Sequence, residues 1–200
     1  MKFQKLGGIS VLLLMIGCGA SHLKQQNQTN AIKTHELPSV KLTPELLLGN
    51  WVASCHYDEK SDTFIDEYLS FDLEETNRLT THYLDSTCTQ TLYQKNVKGR
   101  YALDDNEVYT EKRDEVAITA ESSSALALFT PYEGYCGKHN WKLHEEQKFK
   151  DVTKCGDEKS PKIKMSARAG HSQTELVMKE CPAMSTECQT SVFTRKSSVR

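Results

Sequence analysis

The chain has 200 residues, of which 26% are charged, and a formal net charge of −2. That balance offers no basic patch of the kind nucleic acid requires, and the low mean hydropathy excludes a multi-span membrane protein. The length suits one domain with a tail. At the N-terminus, Met1–Lys5 carries Lys2 and Lys5, and Leu6–Ile16 is almost wholly apolar. These are the charged and apolar regions of a secretory signal, too short to span a bilayer.

The signal ends in Leu14-Met15-Ile16-Gly17-Cys18. This resembles the lipobox of bacterial lipoproteins, in which the cysteine becomes the lipidated first residue after cleavage. Met15 stands where that motif usually has leucine, and ordinary cleavage near Ala20 is the alternative. The resemblance implies residues 1–17 as signal peptide and Cys18 as the lipidation site. It also implies a cell-envelope location, and Gly19 after the cysteine favours outer-membrane sorting. Cysteine parity agrees. The seven cysteines are odd in number, and lipidation of Cys18 leaves Cys55, Cys88, Cys136, Cys155, Cys181 and Cys188. Six cysteines allow about 15 pairings, which sequence cannot separate. Nearest-neighbour closure, 55–88, 136–155 and 181–188, is the expectation adopted. No CxxC spacing points to a metal, and no cofactor is expected. Residues 18–42, rich in Gln, Asn, Lys and Thr, read as a flexible tether.

A domain is expected over residues 43–200. Thr43-Pro44-Glu45 gives an N-cap, a proline at the first helical position and an early acid, with only Leu46–Leu48 before Gly49, so one helical turn is predicted. Short β-like runs follow: Trp51–Tyr57, Thr63–Phe71, Arg78–Leu84, Thr89–Asn96, Arg100–Leu103, Glu107–Thr110, Glu115–Ala120, Ala125–Thr130, Asn140–Lys150, Lys162–Ala169, Thr174–Lys179 and Gln189–Lys196. In Thr63–Phe71, Ile65, Leu69 and Phe71 share one parity with Glu67. Asp104-Asp105-Asn106 marks a hairpin. This pattern predicts an all-β fold, a small disulfide-stapled antiparallel β-barrel of about 8–10 strands.

The short helical turn followed by Gly49-x-Trp51 at the start of a strand resembles the lipocalin (calycin) signature. In that family the tryptophan closes one end of the barrel and an arginine near the barrel's end packs across it. The resemblance implies Gly49, Trp51 and Arg195 as barrel-closure residues that hold the fold without touching ligand. The family's second signature, a Thr-Asp-Tyr-like triplet, is absent.

No nucleophile elbow, Walker loop or dinucleotide fingerprint occurs, and His144-Glu145-Glu146-Gln147-Lys148 lacks the second histidine of a zinc protease motif. An enzyme is therefore not expected. Adjacent acids such as Asp66-Glu67 and Asp157-Glu158 read as solvated turns and edges, and the scattered histidines as surface groups. Tyr132-Glu133-Gly134-Tyr135-Cys136-Gly137 reads as an exposed aromatic loop, with Tyr132 and Tyr135 as candidate recognition residues. The expected partners are a membrane, through the lipid anchor, and a small apolar or amphipathic ligand inside the barrel, lined by residues such as Phe64, Tyr68, Leu126, Leu128, Ile163 and Met165. The alternative is a protein-interaction or inhibitor module of the envelope without a ligand pocket.

Overall fold

The structure, a computed structural model, describes residues 38–131, 134–170, 174–181 and 188–196. Chain order runs β1 (Ser39–Val40), α1 (Pro44–Leu47), β2 (Gly49–Asp58), β3 (Thr63–Asp72), β4 (Glu75–Tyr83), β5 (Thr91–Leu103), β6 (Tyr109–Ala120), α2 (Ser123–Phe129), β7 (Glu146–Phe149), a 3₁₀ turn η1 (Val152–Cys155), β8 (Lys162–Ala169), β9 (Thr174–Cys181) and β10 (Gln189–Arg195). The ten strands form one antiparallel sheet in the order β1-β8-β9-β10-β2-β3-β4-β5-β6-β7. Three disulfides join Cys55 to Cys88, Cys136 to Cys155 and Cys181 to Cys188.

The first turn forms as its residues dictate. Thr43 is extended, its Oγ1 accepts from Leu46 N at 3.2 Å, and Pro44 takes the first helical position. Gly49 then carries φ +108°, a conformation that L side chains avoid, and this lets the chain turn from α1 straight into β2. Along β3 the burial alternates, with Ile65, Glu67, Leu69 and Phe71 inside. Along β8 the inward residues are Ile163, Met165 and Ala167.

The sheet curls strongly. Glu180 on β9 reaches Arg78 on β4 at 3.0 Å and Arg113 on β6 at 2.9 Å. Those strands stand four and six places from β9 in the sheet order. A flat sheet would separate them by about 19 and 29 Å at about 4.8 Å per strand. A continuous closed barrel is not what the pairing describes, however. The two-residue β1 and four-residue β7 are the terminal strands, and among the described residues no ladder joins them. The β6 edge meets the segment before β8 through one bond, Arg113 N–H to the Lys159 carbonyl at 2.8 Å.

The region from residue 121 to 161, expected to supply two strands, explains the open order. Ala125–Thr130 is helix, not strand. Ser122 is extended and its Oγ accepts from Ala125 N at 3.2 Å, which caps α2. Ala125 and Phe129, four apart, are buried while Leu128 is exposed, so the apolar spacing is helical. Of Asn140–Lys150 only Glu146–Phe149 forms a strand, paired with Val116–Thr119, while Leu143 adds an isolated bridge to Ala120. Elsewhere strands are longer than expected: Thr89–Asn96 and Arg100–Leu103 merge into β5, and Glu107–Thr110 and Glu115–Ala120 into β6. The end of the expected tether also belongs to the domain, since Ser39 and Val40 pair with Arg168 and Ala167, and Leu42 is buried.

Gly99 marks the irregularity that lets β5 and β6 run so long. The register shifts between Lys98 and Gly99, and a Cβ there would sit 2.4 Å from the Lys112 carbonyl oxygen and 3.2 Å from Arg113 Cα. Backbone on both sides must then move, so Gly99→Ala is expected to cost about 1–3 kcal/mol in urea unfolding. A loss near zero would show that the bulge relaxes freely.

The core is divided. One apolar cluster joins Leu42, Leu47, Trp51, Leu69, Phe71, Leu176 and Phe193 at the α1 end. A second gathers Leu92, Tyr93, Val116, Ile118, Phe129, Trp141, Val152 and Cys155 beneath α2 and η1. Buried charged side chains lie on the same inward faces as these two clusters.

Candidate binding cavity

Inward parity places Glu67 on β3 beside Ile65 and Leu69, Glu111 and Arg113 on β6 beside Tyr109, and Glu180 on β9 beside Met178. Arg113, 4% exposed, is the hub. Its Nε donates to Glu111 Oε1 at 2.9 Å, and its Nη2 donates to both Glu180 oxygens at 3.0 and 2.9 Å. Its Nη1 is 3.5 Å from Asp157 Oδ1. Tyr109 OH donates to the other Glu111 oxygen at 2.8 Å. Arg78 donates through Nη1 to Glu180 Oε2 at 3.0 Å and through Nη2 to Met178 Sδ, while its Nε stays 4.0 Å from Glu67 Oε1. Lys95 Nζ lies 2.7 Å from Asp157 Oδ2.

These groups, with residues of the β2–β3 turn and η1, line a cavity of about 330 Å³. Asp58 borders it, accepting from Gln189 Nε2 at 2.8 Å and from Ser61 N and Oγ at 3.1 and 2.5 Å. His82 and Tyr93 stack at 4.0 Å between ring centroids on the same lining. His82 Nδ1 is 2.9 Å from Thr63 Oγ1. Lys60 is exposed at the rim.

The electrostatics follow from burial and pairing. Burial works to raise the Glu180 carboxyl, but the Arg78 and Arg113 guanidiniums outweigh it and hold it at about 2. Burial pulls the Lys95 ammonium down in spite of Asp157. Burial, helped by Lys95, lowers His82 from 6.5 to about 4, so its ring is neutral at pH 7. Burial and then Asp157 push Tyr135 up to about 12. Two buried carboxylate oxygens, Glu67 Oε2 and Asp157 Oδ2, have no hydrogen-bond partner. The Asp157 oxygen has the Lys95 ammonium 2.7 Å away, whereas Glu67 has no cation nearer than 4.0 Å among the described residues.

His82 gives a pH dependence of definite sign. Its folded pKa lies below its unfolded one, so the unfolded chain takes up a proton that the native chain excludes. The contribution is complete above about pH 6.5 and is lost as pH falls toward about 4, by up to about 3 kcal/mol. Urea midpoints at pH 7.5, 6 and 4.5 should fall in that order, and His82→Gln should flatten the trend over this window. An unchanged trend in the variant would assign the loss to other groups.

At the opposite end of the sheet, Trp51 is fully buried and its Nε1 donates to the Leu47 carbonyl at 2.8 Å. The Arg195 guanidinium carbon lies 4.9 Å from the Trp51 ring centre, and Nη2 donates to the Leu46 and Leu48 carbonyls. Trp51 and Arg195 thus meet across the paired β2 and β10, with Gly49 two residues before Trp51. Cys18 and Tyr132 lie outside the described residues. Tyr135 is half-buried rather than exposed: it stacks on Phe129 at 4.6 Å between centroids and borders the cavity.

The six residues named from sequence as ligand lining do not line this cavity. Phe64 and Tyr68 occupy the outward parity of β3, Leu126 and Leu128 sit on α2, and Ile163 and Met165 pack into the Trp51 cluster. The groups that do line it include ones read as solvated. Glu67 is 6% exposed and His82 is 5% exposed, and Asp157 is a half-buried ion-pair partner of Lys95. The signal for Glu67 was its parity with Ile65, Leu69 and Phe71. For Arg113 and Glu180, parity with Tyr109 and Met178 was the equivalent sign.

Among the described residues, no group of three or more His, Cys, Asp or Glu is arranged to hold a metal ion, and no helix is long and apolar enough to cross a membrane. Compared with protein-family models and with curated proteins, the chain matches none.

Proposed function

We propose that the protein is a bacterial envelope lipoprotein, anchored by lipid on Cys18, whose domain is a lipocalin-like binding module for a small hydrophilic molecule. The anchor rests on the charged start, the apolar run and the Leu14–Cys18 lipobox. The lipocalin-like reading rests on the Gly49, Trp51 and Arg195 arrangement. The observation that carries binding is the cavity of about 330 Å³ lined by Glu67, Arg78, Lys95, His82, Asp157 and Glu180. An apolar ligand, which the family resemblance implies, suits this lining poorly. It would displace water from charged groups and offer nothing in return. A polar molecule can replace those hydrogen bonds and keep the ion pairs intact.

The test is mass spectrometry of the full chain purified from its own envelope in mild detergent. Under native conditions a small, non-lipid mass should be retained, and under denaturing conditions the chain should begin at Cys18 with added acyl mass. Repeated preparations that carry no small molecule would sink the binding reading. An unacylated N-terminus would sink the anchor.

A further inference from the structure

Three bases, Arg78, Lys95 and Arg113, face four carboxylates, Glu67, Glu111, Asp157 and Glu180, in one cluster in which Glu67, Glu111 and Arg113 are buried and the others half-buried. A fifth carboxylate, Asp58, borders the same cavity with both oxygens satisfied by Ser61 and Gln189. The cluster is therefore short of positive charge, since His82 is neutral and the remaining base of the lining, Lys60, stands exposed at the rim. The shortfall falls on one group. Glu111, Asp157 and Glu180 each contact a base at 2.7–3.0 Å. Among the described residues Glu67 has only Arg78 Nε at 4.0 Å, beyond hydrogen-bond reach, and its Oε2 has no partner. A buried carboxylate left in this state is costly unless something supplies a donor or a charge.

We propose that the cavity binds a small primary amine as its ammonium, with Glu67 as the counter-ion; this rests on the binding reading above. The missing element is a hydrogen-bond donor that also carries positive charge. An ammonium is both, and a charge-assisted bond is the stronger kind. A quaternary ammonium brings charge without a donor, and an alcohol brings a donor without charge. The stacked His82 and Tyr93 rings on the same lining offer a flat surface for the carbon skeleton. The volume, about 330 Å³, equals that of about eleven waters at about 30 Å³ each, so it suits an amine of small-metabolite size.

Calorimetric titration of the full-length chain in detergent at pH 7.5 tests this. The probes are tyramine and putrescine, with tyrosol as the alcohol matching tyramine and tetramethylammonium as the donor-free cation. At least one amine should bind, at least about tenfold more tightly than tyrosol or tetramethylammonium. Glu67→Gln should weaken that amine at least about tenfold while leaving the ligand-free melting temperature equal or higher, because it removes an unpartnered charge. The comparison of tyramine with tyrosol on the unsubstituted chain needs no variant, so a Glu67→Gln chain that fails to fold leaves the test intact. No binding of either amine at about millimolar concentration, tyrosol or tetramethylammonium binding as tightly as the better amine, or full amine affinity in Glu67→Gln overturns the proposal. Retention of a polar, amine-free molecule from the envelope with no amine binding would overturn the amine and leave the binding module standing. A chain that retains nothing and binds none of the probes overturns both.

Discussion

Arg113→Ala is expected to destabilise the domain by about 3–5 kcal/mol. The guanidinium is 4% exposed and touches Glu111, Glu180 and Asp157 at once. Removing it leaves three carboxylates facing one another with only Arg78 and Lys95 to balance them, and the new void is too deep in the sheet for water to solvate all three fully. The cost lies in the orphaned charges more than in the lost pairing. A combined Arg113→Met, Glu111→Leu, Glu180→Leu chain should therefore recover much of the loss, because hydrophobic groups of similar volume replace buried ion pairs at little net cost. Urea unfolding followed by tryptophan fluorescence measures both. A single-variant loss under about 1 kcal/mol would mean that the carboxylates find water or protons readily. The asymmetry with Glu67→Gln is informative: deletion of the hub base is damaging, whereas neutralising the one under-partnered acid is not.

Trp51→Ala is the second large effect, also about 3–5 kcal/mol. Trp51 is wholly buried and is the contact through which α1, β2 and β10 are tied. Its loss leaves a void among Leu47, Leu69, Phe71 and Phe193. It also strands the Leu47 carbonyl and takes the surface from under Arg195, whose bonds to the Leu46 and Leu48 carbonyls otherwise satisfy the end of α1. Trp51→Phe keeps an aromatic face and loses only the Nε1 bond and part of the volume, so it should cost about 1–2 kcal/mol. Equal losses for the two variants would show that the indole N–H, not the packing, dominates this end.

Much of the architecture was legible from residues near one another in the chain. Strand phase is a local property: side chains alternate every second residue, so Ile65, Leu69 and Phe71 announce an inner face wherever the strand ends up. The N-cap at Thr43 and the need for glycine between α1 and β2 are local in the same sense. The segment around α2 was misread because Ala-Leu-Ala-Leu alternates as a strand would. What decides it is the cap at Ser122 and the two buried positions four apart, Ala125 and Phe129. Open or closed pairing of the sheet could not be read either, since it depends on how few residues of β1 and β7 find partners.

By itself the sequence determined an antiparallel all-β domain with a stapling set of six cysteines and an aromatic seam at Gly49 and Trp51, because caps, turns and alternation act over a few residues. The tertiary structure alone decided which charged side chains the interior gathers. Residues 67, 78, 95, 113, 157 and 180 come from six separate segments, and only the curl of the sheet brings their charges within 4 Å of a partner. Parity with apolar neighbours marks Glu67, Arg113 and Glu180 as inward-facing but gives none of the six its partner. Burial in one cavity turns them into a network whose energies are set by which partner each charge meets, a quantity no local pattern carries.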